Sequence, residues 1–389
     1  MKREEEFLKN LLASFRNIDI FFLQLTFALI ITGIIFAFSS SVYESYRLTN
    51  SFWTMGLKQF AALVIGLGSM ILFSKVNYRF WFKSTNIISV TMLIIMIITV
   101  FSGIGRASGG SQRWIDIGGF QFQPAEIAKF SVILLISKIL TKYKWNNFKQ
   151  ILPYLILSIL LILIILKQPD LGSASILVLV TLEMLFLFGW PVWLLTSIIP
   201  LTGLIGYLKL KSTPYQIERI IYWMNPYLDP QGKGYNLIQS RYAFGFGGLF
   251  GAGLGNSIQK NGHLPISHSD FIFAVMGEEI GYLGLTAILI LYLSWILRGV
   301  FLVNKVQNKY GRILGTAIIF LISTQALINV CVAVGLMPVT GVTLPLFSCG
   351  GTSLIVTLTM LGIFFNILSA SKSDSRHCEE AQSADVAIS

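Results

Sequence analysis

The chain has 389 residues, of which 54% are hydrophobic and 12% charged, about half the charged share of an ordinary soluble domain. That apolar content suffices for about ten bilayer-crossing helices of about 20 residues each, and it excludes a disordered, collagen-like or nucleic-acid-binding protein. The excess of 29 Lys and Arg over 18 Asp and Glu, net +11, in a membrane chain reports topology and contact with anionic lipid heads.

The amino terminus carries Lys2, Arg3, Lys9 and Arg16 ahead of an apolar run from Ile18 to Phe38. This run is too long for the core of a secretory signal and no A-x-A site follows it, so it reads as a retained first span. Further runs of crossing length lie at 52–73, 85–102, 124–141, 151–167, 171–189, 191–210, 270–297, 313–336 and 345–369. With 18–39 they make about ten, and the expected fold is an all-α polytopic membrane protein. The organisation is a segment 1–17, a transmembrane domain 18–370 and a polar tail 371–389 expected to be disordered. Lys75, Arg79 and Lys83, then Lys138, Lys142, Lys144 and Lys149, then Arg298, Lys305, Lys309 and Arg312, and finally Lys372 and Arg376 share a side with the amino terminus. The positive-inside rule places that side, and both termini, in the cytoplasm.

One connection is long: 211–269, on the outer side between helices 7 and 8. Long loops translocate regardless of charge, and a loop of this length in a compact fold is usually functional. The outer loop 103–123 is the second of note. No internal repeat of fixed period is visible, which weakens an inverted-repeat transporter reading. Cys331, Cys349 and Cys378 are odd in number and lack CxxC spacing, so neither a disulfide framework nor a metal knuckle is expected.

Charge in the bilayer costs about 2.5–3.5 kcal/mol per residue on insertion scales, and here it gathers in four places. Glu126 and Lys129 follow Gln123-Pro124 on one helical face, either as a self-neutralising pair snorkelling at a helix start or as a functional pair. Lys167-Gln168-Pro169-Asp170 is a proline-broken junction in which Asp170 either caps the next helix or acts chemically. Glu183 stands alone in an apolar run, where a helix-packing hydrogen bond is the simpler role. In the fourth place Asp270 opens a span, with Ala274, Gly277 and Gly281 on its helical stripe and Glu278 and Glu279 two turns deeper. Asp270 is there either an N-cap on a tightly packed helix or a carboxylate facing a cavity. Glu278 and Glu279 are too deep for caps and call for a cationic partner or a water-filled cleft.

Other patterns are weaker. The glycines 245, 247, 248, 251, 253 and 255 follow no strand, which excludes a dinucleotide fingerprint and favours close-packed or re-entrant backbone. Ser267, His268 and Asp270 are too close in sequence for triad geometry to be presumed. His263, His268 and Asp270 have donor types for a divalent ion, although interface histidines are more often simply hydrogen-bonded.

Several blocks in order resemble the SEDS proteins (shape, elongation, division and sporulation), the polytopic peptidoglycan glycosyltransferases that include FtsW and RodA. They are Arg113-Trp114-Ile115, Phe122-Gln123-Pro124-Ala125-Glu126 with Lys129, and Gln168-Pro169-Asp170-Leu171-Gly172. Next come Tyr215-Gln216 with Arg219, Asn225-Pro226 with Asp229-Pro230, and Gly234-Tyr235 with Gln239-Ser240. Leu264-Pro265 through Asp270-Phe271-Ile272-Phe273 with Glu278-Glu279 follow, and Gly341 through Pro345 with Ser348 and Gly350-Gly351-Thr352-Ser353 complete the set. The resemblance covers about residues 19–370, and 251–260 and 340–346 look more like the division branch, FtsW, than the elongation branch, RodA. Departures from the family pattern are Ile266 for a glutamate, Ala125 for a serine, Cys349 for an aromatic or small polar residue, and Ser111-Gln112 ahead of Arg113.

The resemblance implies polymerisation of lipid II into β-1,4 glycan at the outer face of the cytoplasmic (inner) membrane, at the division septum, with release of undecaprenyl diphosphate. It implies Asp270 as the catalytic base. Arg113, Lys129, Arg219 and Arg241, with Gln239 and Ser240, are the candidates to bind substrate and diphosphate. Glu126, Asp170, His268, Glu278, Glu279 and Ser348 are expected in support. Mg²⁺ or Mn²⁺ held by substrate oxygens and one carboxylate is compatible with this chemistry and not required by the sequence. Expected partners are a class B penicillin-binding transpeptidase of the FtsI type, meeting the large outer loop, and other division membrane proteins. Two further readings are a lipid II flippase, with Glu126, Lys129 and Glu183 as a polar path, and a non-catalytic division scaffold.

Overall fold

The protein is described from a computed structural model, which covers residues 19–102, 106–108, 111–117, 120–211 and 214–388. Its helices, numbered in chain order, are α1 (Ile20–Thr49), α2 (Thr54–Lys75), α3 (Arg79–Phe101), α4 (Pro124–Lys142), α5 (Phe148–Lys167) and α6 (Leu171–Leu187). Then come α7 (Val192–Lys211), α8 (Pro214–Met224), α9 (Tyr235–Gly247), α10 (Ile272–Asn304), α11 (Lys309–Ala333) and α12 (Gly351–Ile388). Among the described residues seven of these, α1, α2, α3, α5, α10, α11 and α12 as far as Ser371, are long and apolar enough to cross a membrane. The other three expected runs are occupied by α4, α6 and α7. The helical backbone of α12 is described as far as Ile388.

Local chemistry sets several boundaries. The Asp19 carboxylate accepts the Phe22 N–H at 2.9 Å and starts α1, and Asn50, at φ 53°, ends it in the left-handed conformation that Asn tolerates. Pro124 takes the first position of α4, where a missing N–H costs nothing. Asn308 caps α11 by accepting the Gly311 N–H at 3.1 Å.

Burial runs opposite to that of a soluble bundle on the outside and like one on the inside. Most side chains of α4 and α11 are buried, whereas α1, α2, α3 and α5 expose Ile31, Ile65, Ile87 and Leu163, as helices facing hydrocarbon do. Because lipid tails give no hydrophobic drive to pair helices, polar contacts contribute. The long α2–α12 contact shows this: Ser69 and Thr359 hydroxyls lie 2.9 Å apart and Asn366 donates to the Ser74 carbonyl at 2.8 Å, while Gln59 of α2 donates to the Ser348 carbonyl ahead of α12 at 3.1 Å.

Two connections are more ordered than their sequence suggests. Within 103–123 lies an antiparallel three-stranded meander, β1 (Arg106–Ser108), β2 (Ser111–Ile117) and β3 (Phe120–Phe122), with Ile115 opposite Phe122. The long connection 211–269 carries α8, a 3-10 turn Pro226–Leu228, α9 and a π-type turn Gln259–His263.

The glycine-rich stretch explains how this segment is attached. α10 breaks at Gly281 (φ 67°, ψ −174°), a conformation open essentially to glycine. The backbone around the break is bridged by the glycine strand: Ala252 and Gly253 donate to the carbonyls of Glu278 and Glu279 at 2.9 and 3.0 Å, and Tyr282 and Leu283 donate to those of Gly248 and Leu249 at 2.9 and 3.1 Å. The strand approaches so closely that a Cβ on Gly247 would sit 2.1 Å from the Gly277 carbonyl oxygen. Re-entrant backbone near the membrane is tolerated where its polar groups are satisfied in this way. Gly247→Ala is therefore expected to lower stability by about 1–3 kcal/mol or more, read as a fall in melting temperature of detergent-purified protein. Gly245→Ala, with nothing within 4 Å of its Cβ, should match the native protein.

Candidate active site

Asp270 lies ahead of the first residue of α10 and does not cap it. The capping position is Phe271, with no side-chain cap bond, so the N-cap role left open by the sequence is not the one adopted. The Asp270 carboxylate instead accepts the Ser269 hydroxyl at 2.6 Å, and its other oxygen faces Gly341. The main chain around it is clamped from two sides. Asn329 of α11 donates to the carbonyls of Asp270 at 3.0 Å and Val342 at 2.7 Å. Ser348 donates to the Ser269 carbonyl at 2.6 Å while accepting the Leu344 N–H at 2.8 Å, and the Cys349 N–H donates to the His268 carbonyl at 2.9 Å. Ile266, in place of the family glutamate, is exposed and at φ 56°, a strained conformation for a β-branched residue.

Two arginines bring charge to this carboxylate. Arg113 of β2 donates from Nε to the Gln168 carbonyl at 2.6 Å and also to the Pro169 carbonyl. It thereby fixes the turn in which Asp170 caps α6, accepting the Ser173 N–H at 3.0 Å and its hydroxyl at 2.9 Å. Arg219 of α8 donates to the Val339 carbonyl at 2.9 Å, next to the Gly341 loop. It also lines a cavity of about 160 Å³ with Tyr222, Trp223, Lys233, Asn236 and Val339. Burial is the main influence on Asp270 and raises its carboxyl above the ordinary range. The Ser269 hydrogen bond and the fields of Arg219 and Arg113 oppose that shift, and nearby Asp170 adds to it. Burial likewise lowers His268, favouring the neutral ring.

Buried polar atoms without a protein partner surround the same turn: both amide atoms of Gln168, the Thr340 hydroxyl and the Asn329 carbonyl oxygen. Such atoms call for a partner that the described side chains do not provide. Asn329, Gln168 and Thr340 were not singled out as site residues in the sequence; an amide inside an apolar helix was the signal that could have found Asn329.

Other candidates are held elsewhere. Lys129 is 2% exposed and bound to Glu126 and Gln325, both at 2.9 Å, so the pair is buried in the bundle and neither snorkels nor meets the outer surface. Glu278 accepts the Ser257 hydroxyl at 2.5 Å and the N–H groups of Ile258 and Gln259 at 2.8 and 3.1 Å. Glu279 pairs with Lys260 at 2.6 Å and accepts the Ser39 hydroxyl at 2.5 Å. These two acids fix the segment 257–260 to α1 and α10. Ser240 donates to the Ala333 carbonyl at 2.6 Å, Gln239 is half-buried and Arg241 exposed on the same helix. Glu183 accepts the Thr324 hydroxyl at 3.2 Å, a helix-packing bond. Among the described residues no three His, Cys, Asp or Glu side chains gather to hold a metal. The set His263, His268 and Asp270 does not assemble, and a divalent ion at Asp270 would draw its remaining ligands from substrate oxygens.

This arrangement of helices recurs in known proteins. The chain is 36% identical over 355 residues to stage V sporulation protein E of Bacillus subtilis, covering 90% of this chain and 96% of that protein. It is 37% identical over 354 residues to the probable peptidoglycan glycosyltransferase FtsW of Geobacter sulfurreducens, covering 90% and 94%. Among solved structures it is similar to a chain of a peptidoglycan synthase complex that coordinates polymerization and crosslinking, with a TM-score of 0.75, 28% identity and coverage of 91% and 98%. RodA of Thermus thermophilus matches with a TM-score of 0.68, 26% identity and coverage of 91% and 97%. The model of the FtsW/RodA/SpoVE cell cycle proteins matches residues 20–373, and the chain belongs to that family.

Proposed function

We propose that the protein is an inverting peptidoglycan glycosyltransferase of cell division, polymerising lipid II at the outer face of the cytoplasmic membrane. The observation that carries this reading is Asp270. It is a carboxylate free of helix capping, with its main chain clamped by Asn329 and Ser348 and its charge facing the fields of Arg219 and Arg113. A sugar 4-hydroxyl attacks the anomeric carbon of a second lipid II, Asp270 takes the hydroxyl proton, and the bond from that carbon to the diphosphate oxygen breaks. The electron pair leaves on undecaprenyl diphosphate, whose growing charge Arg113 and Arg219 stabilise. The polymer gains one β-1,4 linkage.

The finer points belong to the same proposal. Ten helices cross the bilayer with both termini inside, the segment 211–269 lies outside at the septum, and a class B penicillin-binding transpeptidase docks there, as the similarity to a synthase-complex chain supports. Against a flippase, the polar residues of its supposed path are bound to one another, Glu126 to Lys129 and Glu183 to Thr324.

Asp270→Asn should lower glycan polymerisation from purified lipid II by about 10²–10⁴-fold in complex with the transpeptidase, without loss of fold or complex. Retained activity in that variant would remove the base assignment. Because burial raises the Asp270 carboxyl and a base acts only when ionised, the native rate should fall on the acid side with an inflection above the ordinary carboxylate range. The same shift fixes a stability effect. A carboxyl raised in the folded state opposes folding wherever it is ionised, at pH above its folded value, and is neutral in both states below its unfolded one. Asp270→Asn should therefore melt higher than the native protein near neutral pH, and the difference should vanish as pH falls below the unfolded carboxyl value.

A further inference from the structure

A cavity of about 310 Å³ lies at the other end of the bundle, between the start of α3, the end of α4 and the start of α11. Lys309 is 20 residues before Asn329 in the same helix, so this cavity is about 30 Å from the Asp270 clamp at 1.5 Å per residue. Three cations from two helices, Arg79, Lys83 and Lys309, line it together with Phe82, Thr141 and Asn308. Behind the Phe82 wall sits a fourth. Lys138 is 8% exposed, with its ammonium 5.3 Å from the Phe82 ring centre, 5.5 Å from that of Tyr154 and 3.0 Å from the Asn86 carbonyl oxygen.

Those partners of Lys138 are all neutral, and among the described residues no carboxylate pairs with Lys83, Lys138 or Lys309. The Asp19 carboxylate at the start of α1 is taken by Arg298 at 2.6 Å. A buried cation is ordinarily matched by an anion, since an uncompensated one costs several kcal/mol. Among the described residues none is supplied to Lys138, and the open side of the cavity brings Lys83 and Lys309, likewise without a carboxylate, together with Arg79 over an aromatic wall. That combination suits one ligand chemistry: a phosphate group with apolar chains attached, at a membrane surface.

We propose that this cavity binds the phosphodiester head group of an anionic phospholipid, with Arg79, Lys83 and Lys309 on the phosphate and Phe82 against the glycerol and first chain carbons. The orientation proposed above puts that lipid in the inner leaflet. The binding itself does not depend on glycosyl transfer and is read without any glycan assay.

The test uses full-length protein in neutral detergent, with native mass spectrometry and melting temperature read on titration with phosphatidylglycerol, phosphatidylcholine or inorganic phosphate. The native protein is expected to retain phosphatidylglycerol about 25-fold more tightly than phosphatidylcholine, from about fivefold for each of Lys83 and Lys309 near an anionic lipid. Lys83→Gln with Lys309→Gln should abolish that preference, and Lys83→Arg with Lys309→Arg should keep it. Lys144→Gln with Lys149→Gln removes the same charge from exposed positions in the α4–α5 connection and the first turn of α5 and should also keep it. Equal loss in the two glutamine pairs would replace the site by diffuse surface attraction and overturn the proposal. So would a native protein without preference, or one that inorganic phosphate stabilises as strongly as the lipid does.

Discussion

The break of α10 at Gly281 is the constraint on which the Asp270 end of the protein depends. A helix interrupted near a bilayer leaves N–H and C=O groups that hydrocarbon does not satisfy. This chain satisfies them with main chain from Gly248 to Gly253. The short piece of α10 before the break then carries Glu278 and Glu279, whose buried carboxylates hold Ser257 to Lys260 and, through Lys260, Ser39 of α1. The turn that follows leads directly into Asp270, so the position of that carboxylate is inherited from the glycine contact and the two acids beneath it.

A second consequence concerns energy. A buried carboxylate is costly, and the site keeps one that accepts the neighbouring Ser269 hydroxyl, while Arg113 and Arg219 direct hydrogen bonds to carbonyls of adjacent turns. Their charge is felt at Asp270 while, among the described residues, no direct ion pair closes it off, which suits the proposed roles of a base and of diphosphate-binding arginines. The tight networks elsewhere, Lys129 with Glu126 and Lys260 with Glu279, have the opposite character: closed, buried and structural. The two ends of the molecule also differ. One presents a carboxylate among polar groups, and the other a cavity lined by basic side chains, of which Lys83 and Lys309 pair with no carboxylate among the described residues.

The ten apolar runs and the basic residues between them were legible directly, because crossing a bilayer demands about 20 apolar residues whatever the neighbours. Helices occupy all ten. Some boundaries moved outward, as for α1, which runs to Thr49 rather than 39, since a helix continues past the apolar stretch until a residue such as Asn50 ends it. Others moved inward, as for α12, which starts at Gly351 rather than 345. The strands in 103–123 and the helices in 211–269 were not legible: short segments without sustained periodicity take their form from the surface on which they pack.

For the site, sequence by itself determined which residue types were costly enough to need a purpose: Asp270, Glu278, Glu279, Glu126, Lys129 and Asp170. It could not determine the purpose, because a carboxylate and an ammonium one turn apart look the same whether they are closed on each other or open to a substrate. Only the tertiary structure decided that Lys129 is enclosed with Gln325, that Asp170 caps α6, that Glu278 collects three donors, and that Asp270 caps nothing. The physical reason is that the groups which distinguish these cases, Asn329, Ser348, Arg113 and the glycine strand, come from distant parts of the chain, and only packing brings them to the same few ångströms.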